Sequence, residues 1–526
     1  MRALRVWPIL ALVLCPPLPG AARAAERPLT LAEAIELALR HNDDIIVQRQ
    51  GVEAADAGII AAKGAYDPVL NAAGGWHRSS PPVNSAFSGA PVGSLSPTTE
   101  GLDASASVSQ LLPTGGQVLA RTSAFRDTTN NDFTLLTPAY STQVGVQVRQ
   151  PLLRNRAMDE ARLELRVSAA ESGVAGATLR QAVSDALAQV EETYWRLAAA
   201  RRAVTVQEEA VRLAEEQLEQ TRVRIEMGVA PDTEISQPRA ELERRRGDLL
   251  ATREAASRVQ NALKLLILDD PGEDPGQAGG SFWSDDLVPA DPPDVTVQVV
   301  DIAESLRQAL ELRPEVAAAK ATVQMRQAES EFARDGVKPA LDAVLSYDRF
   351  GLAGDVNEGA IPVPGINDPS GDLEGGWGRS YAFIGDGDFE DARAQVVFGL
   401  PLGNRTAKAT AVQAVSAQRQ AEAELARTRK NVRADVLDSA SSLQTAGQRI
   451  EAARAARQAA EVQLSAEQDR YDNGLSTNFL VLTRQNDLSS ARLDEINAVT
   501  DYLRARAELA RATGTLLEAR HIQVED

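Results

Sequence analysis

The sequence predicts a mostly α-helical chain with membrane-type β segments, built from two tandem copies of one structural unit. Three observations carry this. A series of motifs occurs twice, in the same order, once in each half of the chain. A Pro-free heptad pattern runs far longer than an ordinary helix. Two ring-rich segments alternate with period two.

Composition narrows the chemistry first. The 526 residues carry 55 Lys and Arg against 74 Asp and Glu, a net charge of −19. Such acidity argues against nucleic acid as a partner, because phosphate binding needs a basic patch. Hydrophobic residues make up 44% but aromatics only 4%, a balance that suits long Ala-rich helices packed side by side. Cys15 is the one cysteine, and the three histidines, His41, His77 and His521, are scattered. No thiol nucleophile, disulfide, metal site or cofactor is expected. A phosphate loop of the form G-x-x-x-x-G-K-[ST] is also missing. The chain is therefore not expected to be an enzyme.

The N-terminus reads as an export signal. Arg2 and Arg5 precede the apolar run from Val6 to Leu14, and Ala22-Arg23-Ala24 supplies an A-x-A cleavage site. Residues 1–25 form a signal peptide in this reading, too short to span a bilayer as a helix. Cys15 raises lipid attachment as an alternative, but Leu14 stands before it where such sites carry a small residue. No later stretch stays apolar for the length a membrane-spanning helix needs. Any membrane-held part must therefore be a β-barrel.

The repeat is anchored at several places. Leu31-Ala32-Glu33-Ala34-Ile35 matches Ile302-Ala303-Glu304-Ser305-Leu306, and Asp67-Pro68 matches Lys338-Pro339. Pro151-Leu152 with Asn155-Arg156 matches Pro401-Leu402 with Asn404-Arg405. Gln217-Leu218 and Gly228 match Gln463-Leu464 and Gly474. The first repeat covers 26–268 and the second 302–526, with a linker over 269–301. The spacing between matching anchors shrinks from Asp67-Pro68 to Pro151-Leu152, so the first copy carries an extra segment between them.

Each copy reads as helices, strands, a long helix, a turn and another helix. Strands are expected at about 67–150 and 339–401. Leu102, Ala104, Ala106 and Val108 alternate with Asp103, Ser105, Ser107 and Ser109. Val144, Val146 and Val148 alternate with Gln143, Gln147 and Arg149, and Ala392, Ala394, Val396 and Phe398 alternate with Arg393 and Gln395. Residues 66–151 and 339–401 hold 13 of the 22 aromatic residues, which suits strands facing lipid with rings at the interfaces. An ordinary periplasmic β-domain fits the alternation equally well. The turn signal Leu112-Pro113-Thr114-Gly115-Gly116 makes the extra segment a hairpin. That gives four strands in the first copy and two in the second. The stretches 79–98, 127–138 and 351–389 read as exposed loops.

From Ala157 to Met227 apolar residues recur every seven at Val183, Val190, Leu197, Val204, Val211, Leu218 and Ile225. A stripe of smaller residues follows three positions later at Ala186, Thr193, Ala200, Gln207, Ala214 and Thr221. This is coiled-coil spacing. The second copy repeats it at Val436, Leu443, Ile450, Leu464 and Tyr471, interrupted by Arg457. Each long helix runs into a Gly-centred turn, Met227 to Asp232 and Asn473 to Asn478. There Gly supplies the left-handed helix end, and Asp232 or Asn478 is expected to cap the next helix. Pro238 falls near the start of that helix in the first copy.

This constellation resembles the TolC-type outer-membrane efflux proteins over nearly the whole mature chain. The residues that carry the likeness are the openings LTLAEAIELAL and VVDIAESLRQAL, the two P-L…N-R junctions, and the tips Arg224 to Ala230 and Arg470 to Ser476. The resemblance implies a homotrimer in which a β-barrel in the outer-membrane lipid continues into a long periplasmic α-barrel. Residues of about 269–300 and the C-terminus would form a belt around it. Family members often give four strands per protomer; six here would close an eighteen-stranded barrel. The resemblance also implies an outer-membrane exit duct of a tripartite efflux or type I secretion system. A periplasmic adaptor (membrane fusion protein) and an inner-membrane pump would open that passive conduit.

Carried over residue by residue, Gly228, Val229, Ala230, Gly474, Leu475 and Ser476 are the adaptor-docking tips, and Glu234 and Tyr471 the periplasmic gate. Two positions depart from the family pattern: Ser476 stands where an Arg partner can occur, and Leu480 where an acidic residue is expected. The competing readings are a periplasmic adaptor or another coiled-coil interaction protein. A secreted hydrolase using the acidic stretch Gly387 to Asp391 is a further one, although that stretch lacks EF-hand spacing.

Overall fold

A computed structural model of the chain describes residues 26–85, 88–229, 231–269, 283, 285–297, 299–361 and 371–524. The expected signal peptide, Cys15 and Ala230 lie outside the described residues, as does much of the 269–301 linker. The chain divides into two compact units. One holds 26–49, 179–313 and 431–524, and the other holds 50–178 and 314–430. Helices α2 (Asp43–Lys63), α3 (Glu160–Glu226) and α8 (Arg405–Asp472) contribute to both.

The second unit is organised by one antiparallel sheet. Strands β2 (Val69–Ser79), β3 (Thr99–Leu111), β4 (Gln117–Thr129), β5 (Leu136–Pro151), β7 (Ala340–Val356) and β8 (Glu390–Gly399) lie in the order β2-β3-β4-β5-β7-β8. Four strands come from the first repeat and two from the second. The hairpin around Thr114 and Gly115 supplies the surplus pair.

Because successive residues point to opposite faces, the register sorts most of the side chains by polarity. One face carries Leu70, Trp76, Leu102, Val108, Val144, Val146, Leu345, Val396 and Phe398, all exposed. The other carries His77, Asp103, Ser105, Ser107, Arg121, Gln143, Arg149, Asp348 and Arg393. Arg78, Glu100, Arg126, Arg349 and Glu390 interrupt the first face, but so much exposed apolar surface on one side has its matching solvent in hydrocarbon. Among the described residues no helix is long and apolar enough to cross a membrane.

The loop expectation over 351–389 needs correction. Strand β7 continues to Val356, and helix α7 spans Trp377–Asp386. Glycines at 376, 378, 385 and 387 hid the helical period there. Ser380 and Phe383 are nonetheless buried on one side, and Gly387 ends the helix at φ +83°. The other loop expectations are trimmed, because β4 runs to Thr129 and β5 starts at Leu136. The P-L…N-R junctions share one backbone device, with Asn155 at φ +66° and Asn404 at φ +45°. Asn adopts this left-handed region more readily than other side-chain-bearing residues.

In the first unit, β1 (Glu26–Leu29) pairs in parallel with β6 (Asp286–Pro289). The helices α1 (Leu31–His41) and α5 (Ile302–Leu312) open the two repeats with the same cap. Thr30 Oγ1 accepts from Glu33 N at 3.2 Å, and Asp301 Oδ1 accepts from Ala303 N at 2.9 Å and Glu304 N at 3.2 Å. Such a cap contributes about 1 kcal/mol. Helices α4 (Ser236–Ile267) and α9 (Asn478–Thr513) return from the tips.

The heptad stripes separate in burial. Val183, Val190 and Leu197 are buried, but Val204, Val211, Leu218 and Ile225 are only half-buried. The small-residue stripe is buried as far as Thr221, through Ala186, Thr193, Gln207 and Ala214, with Ala200 half-buried. In the second repeat Arg457 breaks the stripe because it is an ion-pair centre: its Nε donates to Glu495 at 2.5 Å and its Nη1 to Glu461 at 2.8 Å.

Candidate functional site

Both helical hairpins turn through the same motif. Gly228 N donates to Ile225 O at 2.9 Å and Val229 N to Arg224 O at 2.9 Å. Gly474 N donates to Tyr471 O at 3.0 Å and Leu475 N to Arg470 O at 2.8 Å. This pair of bonds is a Schellman end, and it demands positive φ, here +72° at Gly228 and +75° at Gly474. Nothing lies within 4 Å of a Cβ built at either glycine, so conformation rather than crowding selects glycine there. The side chain that follows usually packs back on the helix. Here Val229 is 65% and Leu475 79% exposed, leaving apolar side chains bare on both turns.

The expected caps by Asp232 and Asn478 do not form. Pro231 and Thr477 occupy the cap positions, neither with a side-chain cap bond. Asp232 instead opens a 3₁₀ turn, Asp232–Ile235, that precedes α4, so Pro238 sits in that helix's first turn, where no N–H is missed. Asn478 reaches sideways to the other hairpin. Its Oδ1 accepts from Gln217 Nε2 at 2.6 Å, and its Nδ2 donates to Thr221 Oγ1 at 3.4 Å. Gln217 and Thr221 are both buried, so this bridge gives two buried polar side chains of the first long helix a partner on the second hairpin.

The gate candidates are treated differently. Tyr471 packs against the cluster of Ala460, Leu464, Val481 and Leu488, and the Arg224 guanidinium carbon lies 4.9 Å from its ring centroid. Glu234 is exposed in the 3₁₀ turn, with its N–H bonded to Pro231 O at 3.0 Å. Ser476 hydrogen-bonds Glu467 of the same hairpin through its hydroxyl.

The polar face of the sheet holds residues that sequence reasoning did not single out. Asp348 is 5% exposed and accepts from Arg121 Nε at 3.1 Å, Arg121 Nη2 at 2.8 Å and Gln143 Nε2 at 2.9 Å. Gly145 makes room for it, since a Cβ there would come 1.8 Å from Asp348 Oδ1. Arg149 pairs with Asp342 at 2.5 Å. His77 lies between Asp103 and Asp127, its ring nitrogens 3.7 and 3.6 Å from their Oδ1 atoms. A glycine amid the alternation of 143–149, facing the segment that holds Asp348, was the available signal.

The chain matches the model of the outer membrane efflux protein family over residues 122–267 and 305–515. Several solved structures share the fold. A membrane protein from Pseudomonas aeruginosa aligns with TM-score 0.62 at 18% identity, covering 92% of this chain and 90% of that one. The Campylobacter jejuni CmeC outer membrane channel gives 0.60 at 14% identity, covering 92% and 86%. The Vibrio cholerae outer membrane protein VceC gives 0.61 at 17% identity, covering 92% and 96%. No curated protein sequence matches. The family match spans both repeats and more than half of the residues, so this chain is an outer-membrane protein belonging to the outer membrane efflux protein family.

Proposed function

We propose that three copies of the chain close one exit duct for a tripartite efflux or type I secretion system. The observation that carries this reading is the sheet with one apolar face, one polar face and two edge strands, β2 and β8. Open edges are not tolerated in hydrocarbon. Pairing β8 of one copy with β2 of the next removes them. Three copies then give an eighteen-stranded barrel with the polar face, Arg121 and Asp348 included, lining a wet interior.

The half-buried heptad stripe at Val204, Val211, Leu218 and Ile225 supports the same assembly. These side chains are spaced to meet a neighbouring helix, and a neighbouring copy supplies one. The duct is passive in this reading, and energy enters from an inner-membrane pump. Val229 and Leu475, bare on the two hairpin turns, present apolar contacts to a periplasmic adaptor, with Gly228 and Gly474 shaping the turns. Glu234 and Tyr471 hold the conduit shut until adaptor contacts bias the tips toward an open state.

The test is a disulfide bridge between the edge strands. Cysteine placed at Asn71 on β2 and at Gln395 on β8, both on the polar face, yields cross-linked trimers in outer membranes after oxidation. Monomers only, or soluble protein, overturn the duct.

A further inference from the structure

The register of the sheet places an unbalanced cation on its apolar face. Trp76 pairs with Leu102, Leu102 with Arg126, Arg126 with Tyr140, and Tyr140 with Ala353. This lateral row shares its face with Val108, Val144 and Val146. The other arginines of that face are linked to a carboxylate, directly or through one hydroxyl. Arg78 meets Glu100 at 3.2 Å. Arg349 donates to Tyr347 Oη at 2.9 Å and Ile384 O at 3.0 Å, and Tyr347 Oη in turn donates to Glu390 at 2.7 Å. Arg126 has no carboxylate partner among the described residues. Its Nε donates to Tyr140 Oη at 3.4 Å, and its guanidinium carbon stands 5.9 Å from that ring's centroid.

Helix α7 completes the surroundings. Trp377 meets the Tyr140 ring edge-on at 5.1 Å. The helix is seated firmly on the apolar face of β5 and β7. Ser380 Oγ and Thr142 Oγ1 are 2.8 Å apart, both buried. A Cβ at Gly351 would come 1.8 Å from Ser380 O, so only glycine admits this close approach. Trp377 is 37% and Tyr381 42% exposed on the helix's outer side. The site is therefore one guanidinium held against the Tyr140 ring, which Trp377 backs from the helix, in the lateral row that starts at Trp76, at the end of the strands where the β4–β5 and β7–β8 connections lie.

Trp and Tyr settle at the headgroup level of a membrane. An arginine on a lipid-facing strand is tolerated there and costly deeper in. At that level the available anions are phosphates, which a guanidinium fork binds with two parallel hydrogen bonds. We propose that Arg126, held against Tyr140 in the row that Trp76 opens and Trp377 borders, binds the phosphate of an anionic lipid headgroup in the outer leaflet. This rests on the reading above that the apolar face meets lipid and that the strand ends opposite the helices point outward.

The experiment measures lipid binding to the full-length assembled protein in zwitterionic detergent, by native mass spectrometry. The probes are lipid A with both phosphates, fully dephosphorylated lipid A, and inorganic phosphate. Wild type binds the phosphorylated form at least about tenfold more tightly than the dephosphorylated form. Arg126→Gln loses that preference, and Arg126→Lys keeps only part of it, since an ammonium lacks the fork. Hydrogen exchange on the wild type, which needs no variant, shows protection at 124–128 and 377–381 with the phosphorylated lipid alone.

An undiminished preference in Arg126→Gln overturns the site. Equal binding of both lipids by the wild type also overturns it, while sparing the membrane placement of the sheet. Failure of both lipids to bind sinks that placement as well. Inorganic phosphate protecting the same segments equally well makes the ligand a free anion and overturns the lipid assignment.

Discussion

The guanidinium of Arg224, on the last turn of the first long helix, stands over the ring of Tyr471 at the end of the second, 4.9 Å from its centroid. The two residues occupy neighbouring positions in matching Schellman ends, so the duplication itself brings a cation from one copy to a ring of the other. Together with the Asn478 bridge to Gln217 and Thr221, the pair ties the hairpins to each other. An exposed cation–π pair contributes about 0.5–1 kcal/mol. In a double-mutant cycle of Arg224→Ala and Tyr471→Ala, followed by thermal unfolding of the full-length protein, the coupling should fall in that range. Strict additivity of the two losses would show that the stacking is incidental.

In the proposed duct, the glycine turns allow docking to be tested apart from folding. Arginine at 228 or 474 takes a left-handed backbone that costs about 1–2 kcal/mol, yet open space surrounds both positions. The double variant Gly228→Arg, Gly474→Arg should therefore still assemble into trimers while losing drug export. Wild-type export by assembled double-variant protein would remove the turns from the docking surface.

Glu234 is exposed, with no ion-pair partner within its own chain among the described residues. If it closes the conduit, it does so through groups from elsewhere in the assembly. Glu234→Ala should then raise single-channel conductance in planar bilayers, with trimer yield unchanged. Identical conductance for variant and wild type would remove Glu234 from the gate.

The repeat, the strands and the turns were legible because each leaves a local periodic or positional trace. Period two at 102–109 is a strand, and Gly228 with Gly474 marks two helix ends. Less legible was anything set by pairing across long separations. Asn478 reads locally as a cap, but a buried Gln and Thr from the other repeat compete for its amide. Helix α7 lies hidden among glycines because its reason to form is the surface beneath it, Thr142 and Gly351, neither of which is a near neighbour in sequence. Asp348 carries no motif at all. Its importance comes from register, which sets it opposite Gly145 and within reach of Arg121.

That register makes Gly145 a sharp probe of the polar face. In Gly145→Ala the new methyl group displaces the Asp348 carboxylate and breaks its bidentate bond with Arg121. A partly buried ion pair that loses its geometry leaves two poorly solvated charges. Heat resistance of the assembled protein should drop by at least about 1 kcal/mol per chain. Cation over anion selectivity should also shift, because Arg121 and Asp348 no longer neutralise each other. The compensating variant Gly145→Ala, Asp348→Ser should recover stability without recovering selectivity. If Gly145→Ala matches wild type in both measurements, the network has no role in holding or tuning the sheet.

The first strand is tied down by a buried phenol. Tyr194 is fully buried in α3. Its hydroxyl lies 3.0 Å from Leu29 O and 2.8 Å from Asp291 Oδ2, and it accepts from Asp291 N at 3.2 Å. Asp291 Oδ2 also receives Leu31 N at 2.6 Å, so one phenol fastens β1, the start of α1 and the segment after β6. Burial is the main cause holding this hydroxyl protonated well above its ordinary value of 10.0. The folded value is raised, so the stabilisation is complete below the unfolded value and is lost as pH climbs beyond it, where unfolding releases a proton. Tyr194→Phe should cost about 1–3 kcal/mol at neutral pH through the lost hydrogen bonds. It should also flatten the decline in stability above pH about 10. Base titration of both proteins, followed by circular dichroism, measures the difference directly. Parallel curves through the alkaline range would mean that the phenol is not the group that ties these segments together.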